Sequence, residues 1–209
     1  MNLIKKTTLA LGLLAVAGTS FAQTTATSSN GLLGQRYAEF NYTLADIDST
    51  ADYAHGTTLS ANIPVIASVL DVGAAYTYSW IKSGGSAHAN TLAAYANAYM
   101  ALDGVKPFVG ASVGHSWASL PFGSDNDWGW SIHAGAEIPV GAFVITPKIS
   151  YEDDFNGRIG NSDDVWTYSV EGNYWFSPKA AVYAGVARVD LHRSNVDSWN
   201  FSAGVRFKF

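Results

Sequence analysis

The sequence predicts a transmembrane antiparallel β-barrel of about ten strands in up-and-down order, with eight strands as the alternative count. Three observations predict this all-β fold. Successive segments alternate apolar and polar residues with a period of two, which puts the two sets on opposite faces of a strand. Each segment approaches or slightly exceeds the roughly 9–11 residues that a tilted strand needs to cross a bilayer. The connections alternate between tight turns and longer polar loops, as in membrane barrels.

The first five segments show the alternation clearly. In the third, the apolar residues from Leu70 to Trp80 share one parity, and the residues from Asp71 to Ser79 share the other. The dipeptide Asp103-Gly104 suits a two-residue hairpin turn between the fourth and fifth segments. The predicted strands cover residues 35–46, 55–66, 70–82, 90–102 and 106–117.

The last five segments continue the pattern. The ninth is the least regular, and we predict Tyr183, Ala187 and Val189 to face outward so that Arg188 and Asp190 point inward. The tenth ends in "FSAGVRFKF", with its apolar residues on the odd positions. These predicted strands cover residues 127–138, 143–153, 165–176, 180–190 and 198–209.

Aromatic residues gather at both ends of the predicted strands. This arrangement favours a membrane barrel, because amphipathic rings settle at the two headgroup levels. The alternative is a soluble barrel of lipocalin type, but the other face carries Gly, Ser, Thr, Asn and charges, which make a poor dry core. The loop-side rings are Trp80, Trp117, Trp128, Trp130, Tyr151, Trp166 and Tyr168, and the turn-side rings are Phe108, Phe143, Tyr174, Phe176, Phe207 and Phe209.

The N-terminus reads as an export signal. Lys5 and Lys6 precede an apolar run that is too short to span a bilayer, and small residues at Ser20 and Ala22 suit a cleavage site. We therefore predict a signal peptide at 1–22, a short periplasmic lead at 23–34 and a barrel at 35–209.

Composition excludes several classes of function. The formal net charge of −5 at pH 7 disfavours nucleic acid, which requires a basic surface. The chain has no cysteine, so it forms no disulfide. The acidic loops lack the spacing of a calcium-binding loop, and no sequence motif indicates a metal or another cofactor.

Charges of both signs fall on the predicted inner face and are the candidate lumen residues. Opposite charges on neighbouring strands should pair, because an unpaired charge in a narrow lumen is costly. The interior is then either closed by ion pairs or open as a narrow, weakly selective, water-filled pore. The candidates are Glu39, Asp71, His133, Glu137, Lys148, Glu152, Glu171, Arg188, Arg206 and Lys208.

The export signal, the ten alternating segments and the last strand together resemble the small OmpA-like or porin-like barrels of the bacterial outer membrane. In that family the barrel-assembly machinery reads a last strand that ends in phenylalanine, so the resemblance implies an assembly signal at Phe207 and Phe209. It also implies an outer-membrane location, contact with outer-membrane lipid and lipopolysaccharide, and a non-enzymatic role as a minor pore or a structural barrel. A surface adhesin or ligand-binding barrel that uses the acidic loops is an alternative, and the oligomeric state stays open.

Two loop motifs are similar to those of outer-membrane hydrolases. His192 and Ser194 resemble the catalytic stretch of lipid A deacylases, but no Glu follows to orient the histidine. Asp125 and Asp127, with Asp190 and His192, resemble the acidic and Asp-His pairs of omptin proteases, although these loops are too short for such a cleft. We therefore predict no catalytic residues and keep a hydrolase only as an alternative.

Overall fold

The computed structural model describes residues 31–47, 53–82, 86–121, 123–155, 164–191 and 196–209. These residues form a closed barrel of ten antiparallel strands, each paired with its neighbours in sequence, and the last strand pairs with the first. The fold class and the count of ten are thereby confirmed. The strands are β1 Tyr37–Ile47, β2 Tyr53–Ile66, β3 Leu70–Lys82, β4 Ser86–Tyr99, β5 Lys106–Leu120, β6 Gly123–Val140, β7 Phe143–Asp154, β8 Val165–Ser177, β9 Ala180–Leu191 and β10 Val196–Lys208.

Burial alternates along the strands and separates an apolar outer wall from a polar inner wall. In β8, Thr167 and Ser169 are buried inside the barrel, whereas Tyr168 and Val170 are exposed outside. Leu59 and Val109 on the outer wall have exposed fractions of 59% and 60%. An outer wall with such large apolar side chains is suited to lipid and not to water. Within the described ranges, no helix is long and apolar enough to cross a membrane.

Short connections join the strands at one end, called here the turn end. Gly104 and Gly141 occupy the left-handed backbone region there, with φ of 72° and 64°, as tight turns require. The opposite, loop end carries the connections around residues 48–52, 83–85, 156–163 and 192–195, which lie outside the described residues.

The prediction of which residues face outward in the ninth strand was wrong, and the two faces are reversed. Tyr183, Ala187 and Val189 are buried inside the barrel, and Arg188 is exposed on the outer wall. A charge is tolerated at this position because Arg188 forms ion pairs with Asp190 at 2.7 Å and with Asp197 at 2.8 Å, close to the loop end of the barrel. The sequence pattern places charges on the inner wall, and Arg188 is an exception to it.

Large side chains on the inner wall lie across glycines of the neighbouring strand. Phe108, which we predicted for the turn-side girdle, is buried inside and lies against Gly135. Such glycines are required because a Cβ atom in their place would collide with the neighbouring ring. The space that they leave is filled by side chains: Gly73 lies against Tyr95, Gly110 against His133, Gly135 against Phe108 and Gly204 against Tyr183.

We expect Gly204→Ala to destabilise the barrel by about 1–3 kcal/mol, because its Cβ would lie 2.7 Å from Cε1 of Tyr183 and would meet the backbone carbonyl of Phe40. Gly172→Ala is the matched control, since a Cβ there meets nothing within 4 Å. Urea unfolding of the refolded barrel measures both. Equal midpoints for the two variants would show that the inner wall has room at Gly204.

Candidate functional site in the barrel lumen

The structure places nine of the ten candidate residues on the inner wall. Six of them are deeply buried and form the candidate site together with their uncharged neighbours: Glu39, Asp71, Glu137, Lys148, Glu171 and Arg206. His133 is also buried, and its Nε2 lies 2.7 Å from the side-chain oxygen of Asn97. Glu152 and Lys208 share the inward parity, and Nζ of Lys208 lies 3.8 Å from the ring centroid of Trp175. Arg188 alone points outward.

Arg206 of β10 is the centre of the largest ion-paired cluster. Its side chain is fully buried, its Nε donates to Glu39 of β1 at 2.6 Å, and its Nη2 donates to Glu171 of β8 at 2.8 Å. It also contacts the side-chain oxygen of Asn173. The guanidinium lies over the ring of Tyr183, 3.8 Å from the centroid, so a single cation joins four adjacent strands.

The carboxylates of this cluster have further partners. Tyr183 donates its hydroxyl to Glu39 at 2.7 Å, and Asn173 donates its amide to Glu171 at 2.7 Å. Lys148 of β7 carries a second positive charge that acts on both carboxylates. Lys148 also acts on Glu152 of its own strand, so two cations oppose three carboxylates and each buried charge has an opposite charge near it, which is the condition for keeping buried charges in a narrow lumen.

A short segment ahead of β1 occupies the turn end of the lumen. Leu32 and Leu33 are each 1% exposed and pack against the inner wall. Both residues fall in the range that the sequence assigned to a periplasmic lead, so its described part lies inside the barrel; residues 23–30 lie outside the described residues. The sequence signal was an apolar Leu-Leu pair after a polar stretch.

Hydroxyl and amide groups line the inner wall between the Arg206 cluster and the loop end, and two apolar clusters, which include Ile81 and Leu191, line the loop end itself. Some bond to each other across strands, as Thr91 does with Ser116 at 2.8 Å and Ser112 with Ser131 at 2.7 Å. Others are buried without a protein partner, which is costly unless water satisfies them. The unpartnered oxygens in this part of the wall include those of Thr43, Ser79, Ser150, Thr167 and Ser202.

The hydrolase motifs are not assembled within the described residues. Asp127 is buried on β6, whereas Asp190 is on the outer face of β9, and two strands separate them. His192 and Ser194 lie outside the described residues. In the described part of the chain, no group of three or more His, Asp or Glu side chains could hold a metal ion.

The closed barrel, apolar outside and charged inside, defines a β-barrel membrane protein. The sequence matches the family described as Gram-negative porin over residues 6–194, and the chain belongs to that family. Family and fold indicate the outer membrane. No curated protein matches the sequence.

Solved structures show the same fold at low sequence identity. The translocator domain of the autotransporter NalP from Neisseria meningitidis is 10% identical with a TM-score of 0.52, and the match covers 95% of this chain and 94% of that one. Neisserial surface protein A is 17% identical, with a TM-score of 0.44 and coverage of 83% and 97%. The outer membrane enzyme PagL is 14% identical, with a TM-score of 0.43 and coverage of 79% and 97%. The likeness to the NalP domain supports the fold and shows no activity.

We expect Arg206→Met to destabilise the barrel by about 3–5 kcal/mol, because it leaves the carboxylates of Glu39 and Glu171 buried with one cation fewer. Adding Glu39→Gln and Glu171→Gln should recover most of this loss. Arg188→Met is the control, since its ion pairs are exposed and should contribute far less. Urea unfolding midpoints compare the variants. An Arg206→Met midpoint equal to that of Arg188→Met would exclude a structural role for the cluster.

Proposed function

We propose that this chain is a non-enzymatic minor pore of the outer membrane for ions and small solutes, with a resting state of low conductance. The observation that carries the proposal is a set of buried hydroxyl groups on the loop-side part of the inner wall that have no protein partner. Water is the remaining partner for such groups, so an opened lumen would admit water and, with it, small ions. Membership of the porin family supports the same role.

The low conductance of the resting state follows from the turn-side half. There the Arg206 cluster and the large rings laid across glycines fill the cross-section of the lumen. The second candidate is a purely structural barrel, which the complete burial of Arg206 favours. The two candidates differ in one property, whether ions cross the folded protein.

Export and assembly belong to the same proposal. Residues 1–22 act as a signal peptide, and Phe207 and Phe209 present the terminal strand to the barrel-assembly machinery. Both phenylalanines are exposed on the outer wall, at 53% and 68%, where another protein can contact them. The turn end, which also holds the C-terminus, faces the periplasm, as short turns do in bacterial barrels.

Planar-bilayer recording of the refolded protein tests the pore. We expect small, discrete current steps that grow with salt concentration. A barrel that runs as folded in a heat-shift gel but carries no current would support the structural barrel instead.

The ion selectivity of the proposed pore tests which charges line the conducting path. Arg206→Ala with Lys208→Ala removes two inward positive charges, so the reversal potential in a salt gradient should shift toward cation selectivity. Arg188→Ala removes an outward charge and should leave the reversal potential unchanged. Equal reversal potentials for all three proteins would show that Arg206 and Lys208 do not line the conducting path.

A further inference from the structure

We propose that residues 31–35, called here the inner plug, form a displaceable plug that closes the turn end of the lumen from within. Its effect on conductance rests on the proposed pore function, whereas its position and release do not. The inner plug precedes β1 and lies inside the barrel instead of joining the sheet.

The two leucines of the inner plug anchor it to different strands of the barrel. Leu32 packs in an apolar cluster with residues of β7, β8 and β9, among them Val144 and Trp175. Leu33 packs with Tyr99 of β4 and Phe108 of β5. Only β6 separates these two groups on one side of the ring, but Gly34 also contacts Asp71 of β3 and Gln35 contacts Asn62 of β2, so the segment touches strands around most of the lumen.

Polar side chains of the inner wall hold the backbone of the inner plug. The amide of Gly34 donates to Oδ2 of Asp71 at 2.9 Å, and Nδ2 of Asn62 donates to the same oxygen at 3.1 Å. Asn62 also donates to the carbonyl of Gln35 at 3.1 Å. Lys106 donates its ammonium to the carbonyl of Leu33 at 3.2 Å. Side chains of the inner wall thus bind the backbone of the inner plug, as a receptor binds an inserted peptide.

The inner plug has a shape that fits this receptor. The amide of Gln35 donates to the carbonyl of Leu32 at 2.9 Å, which makes a tight turn. Gly34 within that turn has φ of +86°, and a Cβ there would lie 2.8 Å from the hydroxyl of Tyr99. Only glycine satisfies both conditions without strain.

The mode of attachment makes the inner plug the part of the barrel that opens most easily. Each strand is held by backbone hydrogen bonds to two neighbours, whereas the inner plug is held by two leucines and a few side-chain hydrogen bonds. Segments with few backbone bonds open at a lower free energy than the sheet that surrounds them. Release would uncover Asp71 and Lys106 and leave the Arg206 cluster as the remaining closure.

Thiol accessibility tests the position and the release. The chain has no cysteine, so Leu33→Cys is a unique reporter, and Met100→Cys near the turn end, at an exposure of 61%, gives the rate of an open site. A small cationic thiosulfonate reagent is added to the barrel in lipid nanodiscs. We expect Leu33→Cys to react at least about 100-fold more slowly than Met100→Cys, since reaction requires local opening.

The side-chain hydrogen bonds that hold the inner plug are tested in the Leu33→Cys variant. Asp71→Ala removes the acceptor of the Gly34 amide and should speed modification of Leu33→Cys by about tenfold. Thr77→Ala is the matched control, because Thr77 lies on the same strand and face but bonds to Thr58, nearer the loop end. A Leu33→Cys that reacts as fast as Met100→Cys, or whose rate Asp71→Ala leaves unchanged, would overturn the proposal.

A disulfide lock connects the inner plug to conductance. Leu33→Cys with Phe108→Cys should form a bond that fixes the segment, and reduction should then raise the open probability in planar bilayers. Ser112→Cys with Ser131→Cys joins two strands instead, so its reduction should change nothing. Equal nonzero currents before and after reduction of the crosslinked protein would contradict the gate. If neither state carries current, but Leu33→Cys reacts slowly and Asp71→Ala speeds its modification, the pore is refuted and the plug is retained.

Discussion

The buried guanidinium of Arg206 is the interaction on which the arrangement of the interior depends. It pairs across the β1–β10 seam with Glu39 and reaches past β9 to Glu171 on β8. A cation in this position is stable only while both carboxylates stay on the inner wall, so it fixes the parity of three strands at once. The inward placement of Tyr183 follows, since its ring stacks on the guanidinium and its hydroxyl bonds to Glu39.

The two halves of the lumen use different chemistry. The turn-side half is filled by charges, rings and the inner plug, whereas the loop-side half is lined by small hydroxyl groups and, at its end, by apolar side chains. Glycines make the first arrangement possible, because Tyr95 reaches the carbonyl of Ala61 across β3 only where Gly73 leaves room. A residue count of the inner wall would suggest a uniform channel, but the positions of the large side chains divide it into a filled half and a half lined by smaller side chains.

Strands with a regular pattern could be predicted from the sequence, and exceptions to the pattern could not. The alternation in β3 and β10 is a direct consequence of one wall facing lipid, so parity and fold class follow from it. Arg188 is an exception because it pairs with Asp190 on its own strand and with Asp197 on β10, and the second pairing is apparent only in three dimensions. The inner plug was missed for a related reason: Leu32 and Leu33 are too short a signal, and their receptor is spread over several strands.

The topology also determines the order in which the structure can form. Nine of the ten strand pairings join segments that follow one another in sequence, whereas the β1–β10 pairing joins residues such as Tyr37 and Lys208 at opposite ends of the barrel. Loop-closure entropy therefore disfavours the seam until the hairpins exist. Until that step, the sheet has two unpaired edges, each able to pair with another chain. The Arg206–Glu39 contact, 167 residues apart in sequence, forms only on closure, so this ion pair distinguishes a finished barrel from an open sheet.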